Sequence, residues 1–247
     1  LALVHVATST CTVDNVVLMN NSFKANADGF TRFDDPDAGQ GPSTWTIYPG
    51  QFLRQSSNIQ VDYNQLGSRG GNYIYSPSMT MSDYRADVVM EAGDNDAMGL
   101  MFRFKDINNY YHFDMDHDRG WWRVKKRVNG VFHQMKQTTG PSVYISDTYS
   151  YTIHRLSVRL VGPNIQVYLD DILLWRIYDT SQPVGGFGIN VIGMDTLNVY
   201  GAQILEFSHS TGCSSCPAGS YNYYDLGTAT LDLNVAVVKP TCVKCPS

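Results

Sequence analysis

The chain has 247 residues, a length that fits one large domain followed by a small appendage. Apolar residues make up 43% and charged residues 17%, a composition that can build a sizeable core and excludes a disordered chain. The formal net charge of -5 argues against a general nucleic-acid binder, which must neutralise many phosphates.

The predicted elements are short strands separated by turn signals. Residues 1–19 alternate apolar and polar types around Cys11, which predicts a leading strand. Residues 20–50 are rich in Asn, Asp, Gly and Pro and are expected to form long surface loops. From residue 50 to residue 207, apolar stretches recur at the spacing typical of a sandwich. The predicted strands are residues 61–66, 84–90, 98–104, 110–115, 121–128, 151–160, 165–169, 173–177, 187–192 and 197–207.

Two turn pairs, Gly162-Pro163 and Asp170-Asp171, are expected to fold three successive strands into a meander. No window of about 12 or more residues keeps the 3.6-residue apolar period of a helix. The fold class is therefore predicted to be all-β. We expect an antiparallel two-sheet jelly-roll sandwich with a small cysteine-rich C-terminal appendage.

Several blocks of the sequence resemble the lectin-like jelly roll at the C terminus of thrombospondins, within the concanavalin A-like and laminin G-like superfamily. These blocks are residues 45–58, 84–88, 94–104, 108–111, 164–170 and 185–189, together with Asp179. The resemblance implies a jelly-roll domain over residues 20–210, after the leading strand at 1–19. The chain departs from thrombospondins because it lacks the long calcium-binding repeats before this domain and carries a cysteine-rich segment, residues 211–247, after it.

The cysteines cluster at the two ends of the chain, at positions Cys11, Cys213, Cys216, Cys242 and Cys245. Residues 216–221 resemble the opening of ephrin-receptor-like and tumour-necrosis-factor-receptor-like extracellular cysteine repeats. This resemblance implies an oxidising compartment, a secreted or cell-surface protein, and a repeat that is cut short at its C terminus.

Our prediction for the disulfides is that Cys216 pairs with Cys242 and Cys11 with Cys213, which leaves Cys245 for a further repeat. The rival pairing joins Cys213 to Cys242 and Cys216 to Cys245, with Cys11 free. A four-thiolate zinc site is a further alternative, although the 25 residues between the two Cys-x-x-Cys pairs exceed the usual spacing.

No catalytic motif stands out. A glycosidase on this fold would usually show Glu-x-Asp-x-x-Glu on one strand, because its two carboxylates need a fixed separation. That motif is absent, and Glu91 and Glu206 lie far apart and are expected to be ordinary surface carboxylates. The chain is therefore predicted not to be an enzyme, while aspartate pairs that replace glutamate keep a glycan-active hydrolase as a weaker alternative.

Two acidic segments are candidate calcium sites. Aspartates at alternate positions let oxygen ligands converge on a cation, although the second segment is not an EF-hand because Arg119 replaces its glycine. Neutralisation by Arg119 and Arg123, or by solvent alone, is the alternative. The candidate Ca²⁺ ligands are Asp94, Asn95 and Asp96 in one segment and Asp114, Asp116 and Asp118 in the other.

The predicted strand at residues 121–128 carries aromatic and basic side chains and is the candidate ligand-binding strand. In an extended chain Trp121, Arg123, Lys125 and Arg127 share one side, where they could hold sulfated or uronic-acid glycans by stacking and charge. The alternative is a solvated face on which the arginine stems cover the ring. Asn20 opens the one N-glycosylation acceptor, Asn-Asn-Ser, in a predicted loop.

The leading hypothesis is a non-catalytic extracellular lectin-like module that mediates adhesion or matrix contacts by binding carbohydrate or an extracellular protein. The alternative is a structural subunit of a filament or sheath, in which residues 1–7 and 231–238 join neighbouring subunits by strand addition. No run of about 18 apolar residues occurs, so no membrane span is expected. The negative net charge makes a nucleic-acid partner unexpected.

Overall fold

The structure is a computed structural model that describes residues 14–36, 39–63, 68–139, 152–208, 220–223 and 241–244. Regular structure within these ranges consists of β-strands, and no helix there is long and apolar enough to cross a membrane. The strands are β1 (Asp14–Asn21), β2 (Thr31–Asp34), β3 (Trp45–Tyr48), β4 (Phe52–Gln55), β5 (Val61–Tyr63), β6 (Ser68–Gly70), β7 (Asn72–Tyr75), β8 (Tyr84–Ala92), β9 (Ala97–Asp106), β10 (Asn109–Asp116), β11 (Trp121–Val128), β12 (Val131–Thr139), β13 (Ile153–Val161), β14 (Asn164–Leu169), β15 (Ile172–Tyr178), β16 (Gly186–Ile192), β17 (Leu197–Ser208), β18 (Ser220–Tyr223) and β19 (Thr241–Lys244).

Two antiparallel sheets form the sandwich. The eight-stranded sheet has the order β15-β14-β13-β8-β17-β4-β3, and β1 also pairs with β17. The seven-stranded sheet has the order β12-β11-β10-β9-β16-β7-β2. Two separate pairs, β5 with β6 and β18 with β19, complete the described strands. The predicted all-β two-sheet sandwich is confirmed.

Alternation along the strands builds the core between the sheets. On β10, Tyr111, Phe113 and Met115 belong to the main hydrophobic cluster, together with Val124 of β11. Because side chains alternate between the faces of a strand, the residues between them point to the outer face of the seven-stranded sheet. A smaller cluster lies on that outer face and contains Tyr73, Met101, Tyr110 and Phe132. The central strands of this sheet are therefore buried on both sides.

The predicted meander is confirmed as β13, β14 and β15, which pair in antiparallel order. Its second turn is Asp170-Asp171, with φ of 49° and 65°. Positive φ at both central residues is the conformation of a type I′ turn, whose twist matches that of the flanking strands. Aspartate tolerates this conformation better than most residues do.

The structure differs from prediction along residues 20–50, where β2 and β3 lie instead of continuous loops. Both strands are at the edge of a sheet, and β12, which was not predicted, is also an edge strand. Edge strands are half exposed and carry polar residues, so their apolar alternation is weak. Asn20 also lies in a strand, β1, rather than in a loop.

Candidate functional site

The four predicted ligand-binding residues of β11 lie on the outer face of the seven-stranded sheet. They are Trp121, Arg123, Lys125 and Arg127, and each is between 1% and 7% exposed. The guanidinium of Arg123 stacks on Trp121, with Cζ 3.6 Å from the ring centroid. Arg127 and Lys125 approach the ring of Phe132, at 4.8 Å and 5.2 Å. The alternative interpretation was a solvated face on which arginine covers the ring. Arg123 does cover Trp121, but the face is buried rather than solvated.

Strand register aligns a row of residues across this outer face. Arg123 lies opposite Asp114, and Asp114 lies opposite Gly99. Gly99 in turn lies opposite Asn190, which faces Tyr73 on β7. We call these five residues the polar row. Because neighbouring strands are about 4.8 Å apart, the Cα atoms of Asp114 and Asn190 are separated by about 10 Å.

The middle position of the polar row is Gly99, where no residue with a side chain fits. A Cβ atom on Gly99 would lie 2.1 Å from the carbonyl oxygen of Phe113 and 2.7 Å from the Cα atom of Asp114. Strands β9 and β10 therefore approach too closely for any other residue. Between Asp114 and Asn190 the sheet presents only backbone.

Several polar atoms on this face are buried without a hydrogen bond. Asp114 and Asn190 are 0% exposed and His112 is 1% exposed. Within the described part of the chain, both carboxylate oxygens of Asp114, both amide atoms of Asn190 and Nε2 of His112 have no hydrogen-bond partner. Burying such groups without a partner costs about 1–3 kcal/mol each. Buried polar groups of folded proteins are nearly always hydrogen-bonded, so a bound water or a ligand is the expected partner of these atoms.

The basic side chains of Arg123 and His112 lie beside Asp114 but are too distant for hydrogen bonds. Nη2 of Arg123 lies 3.7 Å from Oδ2 of Asp114, and Nδ1 of His112 lies 4.0 Å from the same oxygen. Burial, and then the positive charges of Lys125, Arg123 and Arg127, lower the pKa of His112 well below its usual value. His112 is therefore neutral at neutral pH, so one ring nitrogen donates and the other accepts.

The structure brings three of the six predicted calcium ligands together around one arginine. Nη1 of Arg119 lies 3.0 Å from Asp116, 3.2 Å from Asp96 and 3.5 Å from Asp118. Burial raises the pKa of Asp116, and the hydrogen bond and charge of Arg119 oppose that shift. Neutralisation by Arg119 is one of the alternatives that the sequence left open.

The other three predicted ligands make different contacts. The backbone N–H of Asp118 donates to the carbonyl of Asn95 at 2.6 Å, which joins the two acidic turns. Asp94 accepts hydrogen bonds from the backbone N–H groups of Asp96 and Asp195, while Asp114 belongs to the polar row. In the ranges that the structure describes, no group of three or more His, Cys, Asp or Glu side chains is arranged to hold a metal ion. In this structure Arg119 is the cation that lies among Asp96, Asp116 and Asp118, and calcium binding stays a prediction.

The remaining predicted sites lie partly outside the described residues. Cys11, Cys213 and Cys216 fall there, whereas Cys242 lies in β19 opposite Asn222 of β18. Asn20 lies near the end of β1 with an exposed side chain. The disulfide pairing and the glycan remain predictions.

Sequence reasoning did not identify Asn190, Gly99 or His112 as site residues. Asn190 interrupts the apolar run of β16, where both neighbours are buried. A lone amide inside such a run is the available signal, since buried polar side chains are costly. No local pattern indicates that this amide faces Asp114, because the two residues are on different strands of the sheet.

No protein-family model matches the chain, and neither does any curated protein. Among solved structures, the carbohydrate-binding module CBM66 from Bacillus subtilis is 23% identical, with a TM-score of 0.52, over 69% of this chain and 91% of that one. A protein of unknown function with a galectin-like fold, also from Bacillus subtilis, is 11% identical, with a TM-score of 0.57, over 80% of this chain and 100% of that one.

An enzyme also shares the architecture. The catalytic domain of an endo-1,3-β-glucanase (laminarinase) from Thermotoga petrophila RKU-1 is 9% identical, with a TM-score of 0.52, over 79% of this chain and 99% of that one. At these identities the similarity establishes the fold alone, a galectin-like or concanavalin A-like sandwich. The resemblance to the thrombospondin domain stays a prediction.

Proposed function

We propose that the chain is a non-catalytic carbohydrate-binding module and that the polar row is its binding face. The observation that carries this proposal is the set of buried donors and acceptors on Asp114, Asn190 and His112 that have no hydrogen-bond partner among the described residues. A carbohydrate-binding module, CBM66, has the same fold, which supports the proposal.

The chemistry of the row suits a sugar. Each sugar hydroxyl both donates and accepts, so Asp114 can accept from one hydroxyl while Asn190 donates to and accepts from others. Asp114 and Asn190 are fully buried, so a sugar reaches the row only when the side chains that cover it move aside.

Two carboxylates that a hydrolase could use, those of Glu91 and Asp116, are held by protein partners, which supports binding without turnover. Glu91, expected to be a surface carboxylate, is instead buried and accepts hydrogen bonds from Asn198 and Tyr200. Asp116 is bound by Arg119. Asp114 and Asp116 do share one face of β10, and the fold of the laminarinase keeps a hydrolase as the second candidate. We further propose an extracellular location, on the basis of the cysteine pattern.

A filament subunit remains an alternative supported by one observation. Val16, Val17 and Leu18 of β1 are 46%, 45% and 38% exposed, so three consecutive apolar residues of this strand face solvent. Exposed apolar strands at a sheet edge are templates for strand addition. The terminal segments expected to join subunits, residues 1–7 and 231–238, lie outside the described residues. Particle size by light scattering separates this alternative from a monomeric binding module.

The test uses a glycan array of neutral and acidic oligosaccharides, followed by calorimetry with the best ligand. Asn190→Val should weaken binding about tenfold or more, because it removes hydrogen bonds to the ligand. The same variant should keep or raise the melting temperature, since the buried amide has no protein partner to lose. Asn164→Val, at an exposed strand position of the other sheet, is the matched control and should bind normally.

Two outcomes would contradict the proposal. Unchanged binding by Asn190→Val would show that the polar row does not bind the ligand. A fall in both stability and binding would show that Asn190 has a structural role. A turnover assay on the bound oligosaccharide distinguishes the hydrolase, because only an enzyme converts the ligand to shorter products.

A further inference from the structure

A second group of aromatic and charged side chains lies on the outer face of the other, eight-stranded sheet. Arg54 of β4 lies over two neighbouring rings, with Cζ 4.9 Å from the centroid of Tyr48 and 5.1 Å from that of Phe52. The ring of Tyr200 on β17 packs edge-on against Phe52, with the centroids 5.6 Å apart. We call Tyr48, Phe52, Arg54 and Tyr200 the arginine platform.

Hydrogen bonds fix the inner edge of the Arg54 guanidinium. Its Nε donates to Oδ1 of Asn198 at 2.9 Å, and Nδ2 of Asn198 donates to Oε2 of Glu91 at 2.8 Å. The hydroxyl of Tyr200 donates to the same Glu91 oxygen at 2.6 Å. Glu91 and Asn198 are buried, so this relay is anchored inside the sheet.

The outer edge of the guanidinium is available to a ligand. In the part of the chain that the structure describes, Nη1 and Nη2 of Arg54 make no hydrogen bond or ion pair, and the guanidinium contacts only the two rings and Asn198. An arginine normally loses side-chain entropy when it is ordered by a ligand. Here the rings and Asn198 have already ordered it, which favours binding by preorganisation.

We propose that the arginine platform is a second binding site, specific for an acidic sugar whose carboxylate pairs with Arg54. The planar guanidinium fork matches a carboxylate through two parallel hydrogen bonds. Tyr48, which is 37% exposed, and the half-buried Tyr200 offer ring faces beside the cation for the sugar ring. This inference goes beyond the polar row, because the platform lies on the other sheet and shares no residue with that row.

Glu91 sets the strength of the site as well as its geometry. Its carboxylate holds Asn198 in the orientation that aligns Arg54, but its negative charge also opposes an incoming anion. Glu91→Gln keeps an acceptor oxygen for these hydrogen bonds and removes the charge. Acidic sugars should therefore bind this variant more tightly, by about twofold to threefold.

The experiment is calorimetry with trigalacturonate, its methyl-esterified form and a sulfated oligosaccharide of the same length, at one ionic strength. The native chain should bind trigalacturonate, and Arg54→Met should weaken that binding about tenfold because it keeps the apolar stem and removes the charge. Arg176→Met, at an exposed position at the far end of the same sheet, should change it less than about twofold.

Each contrary outcome overturns the inference. Equal binding of the esterified sugar would show that the carboxylate is not recognised, and tighter binding of the sulfated sugar would show that the site prefers a different anion. Normal binding by Arg54→Met would show that the arginine platform is not the binding site. The Asn190→Val variant distinguishes the two proposed sites, because a protein changed only in the polar row should still bind trigalacturonate at the arginine platform. Loss of trigalacturonate binding in that variant would place the acidic sugar on the polar row instead.

Discussion

Asp179 shows how one residue ties the two sheets together. It follows β15 of the eight-stranded sheet and accepts hydrogen bonds from Lys126 at 2.5 Å and from the hydroxyl of Tyr111 at 2.6 Å. Burial disfavours its negative charge, but the hydrogen bonds from Lys126 and Tyr111 outweigh that effect and lower the pKa of Asp179 to about 2. The ionised carboxylate therefore stabilises the folded state.

We predict that Asp179→Asn lowers the free energy of unfolding at pH 7 by about 1–2 kcal/mol. A carboxyl whose pKa is lowered on folding stabilises above its unfolded pKa, about 3.9, and this contribution disappears as the pH falls toward 2. Urea unfolding at pH 7, pH 4 and pH 2.5 measures the difference. Asp28→Asn, at an exposed position, is the control. If Asp179→Asn lowered the free energy of unfolding equally at all three pH values, the charge of Asp179 would not contribute to stability.

At the scale of elements, the β8–β9 turn and the β10–β11 turn meet through their acidic residues. Arg119 sits among Asp96, Asp116 and Asp118, so the protein supplies its own cation there. We propose that calcium competes with Arg119 for these carboxylates. Calcium needs about six to eight oxygen ligands, so backbone carbonyls of the turns must contribute to any such site.

Arg119→Ala is predicted to create a calcium-dependent protein. Without the internal cation the carboxylates repel one another, so the melting temperature in chelator should fall below that of the native chain. Calcium should restore it by mass action, which gives about 2.7 kcal/mol at 100 times the dissociation constant. The native chain should show a smaller rise. Potassium chloride at equal ionic strength is the control, and melting curves indifferent to calcium in both proteins would show that the calcium prediction is wrong.

At the scale of the whole molecule, β1 runs antiparallel to the last strand of the sandwich. Asp14 lies opposite Ser208 and Asn20 opposite Gln203. The segments leading to Cys11 and Cys213 therefore leave β1 and β17 from the same end of this pair. The predicted Cys11–Cys213 disulfide would close a loop that spans nearly the whole sandwich.

We predict that peptide mapping of the oxidised protein finds Cys11 joined to Cys213. Cys11→Ser should then lower the free energy of unfolding by about 2–4 kcal/mol, because it releases a long loop in the unfolded chain. Cys245→Ser, which removes the cysteine expected to have no partner in this chain, is the control and should leave stability unchanged. A free thiol at Cys11 in the oxidised protein would favour the rival pairing.

The sequence by itself determined most of the longer strands and several turns, but not the edge strands β2, β3 and β12. Alternation and turn chemistry are local, so they can be recognised without knowing which strands pair. The Asp170-Asp171 turn is an example of such local turn chemistry. Asn129-Gly130, which joins β11 to β12 with φ values of 49° and 82°, is another. The Asn-Gly pair is a strong hairpin signal, although the polar edge strand β12 that follows it does not stand out and was not predicted.

Only the tertiary structure decided which polar residues meet. Strand β9 lies between β10 and β16, so Asp114 and Asn190 face each other across Gly99 although 75 residues separate them in the chain. It also decided that Arg123 and Lys125 are buried, since alternation assigns residues to a face without stating what covers it. Strand order and register depend on long-range packing of the whole sandwich, and no local pattern in the chain carries that information.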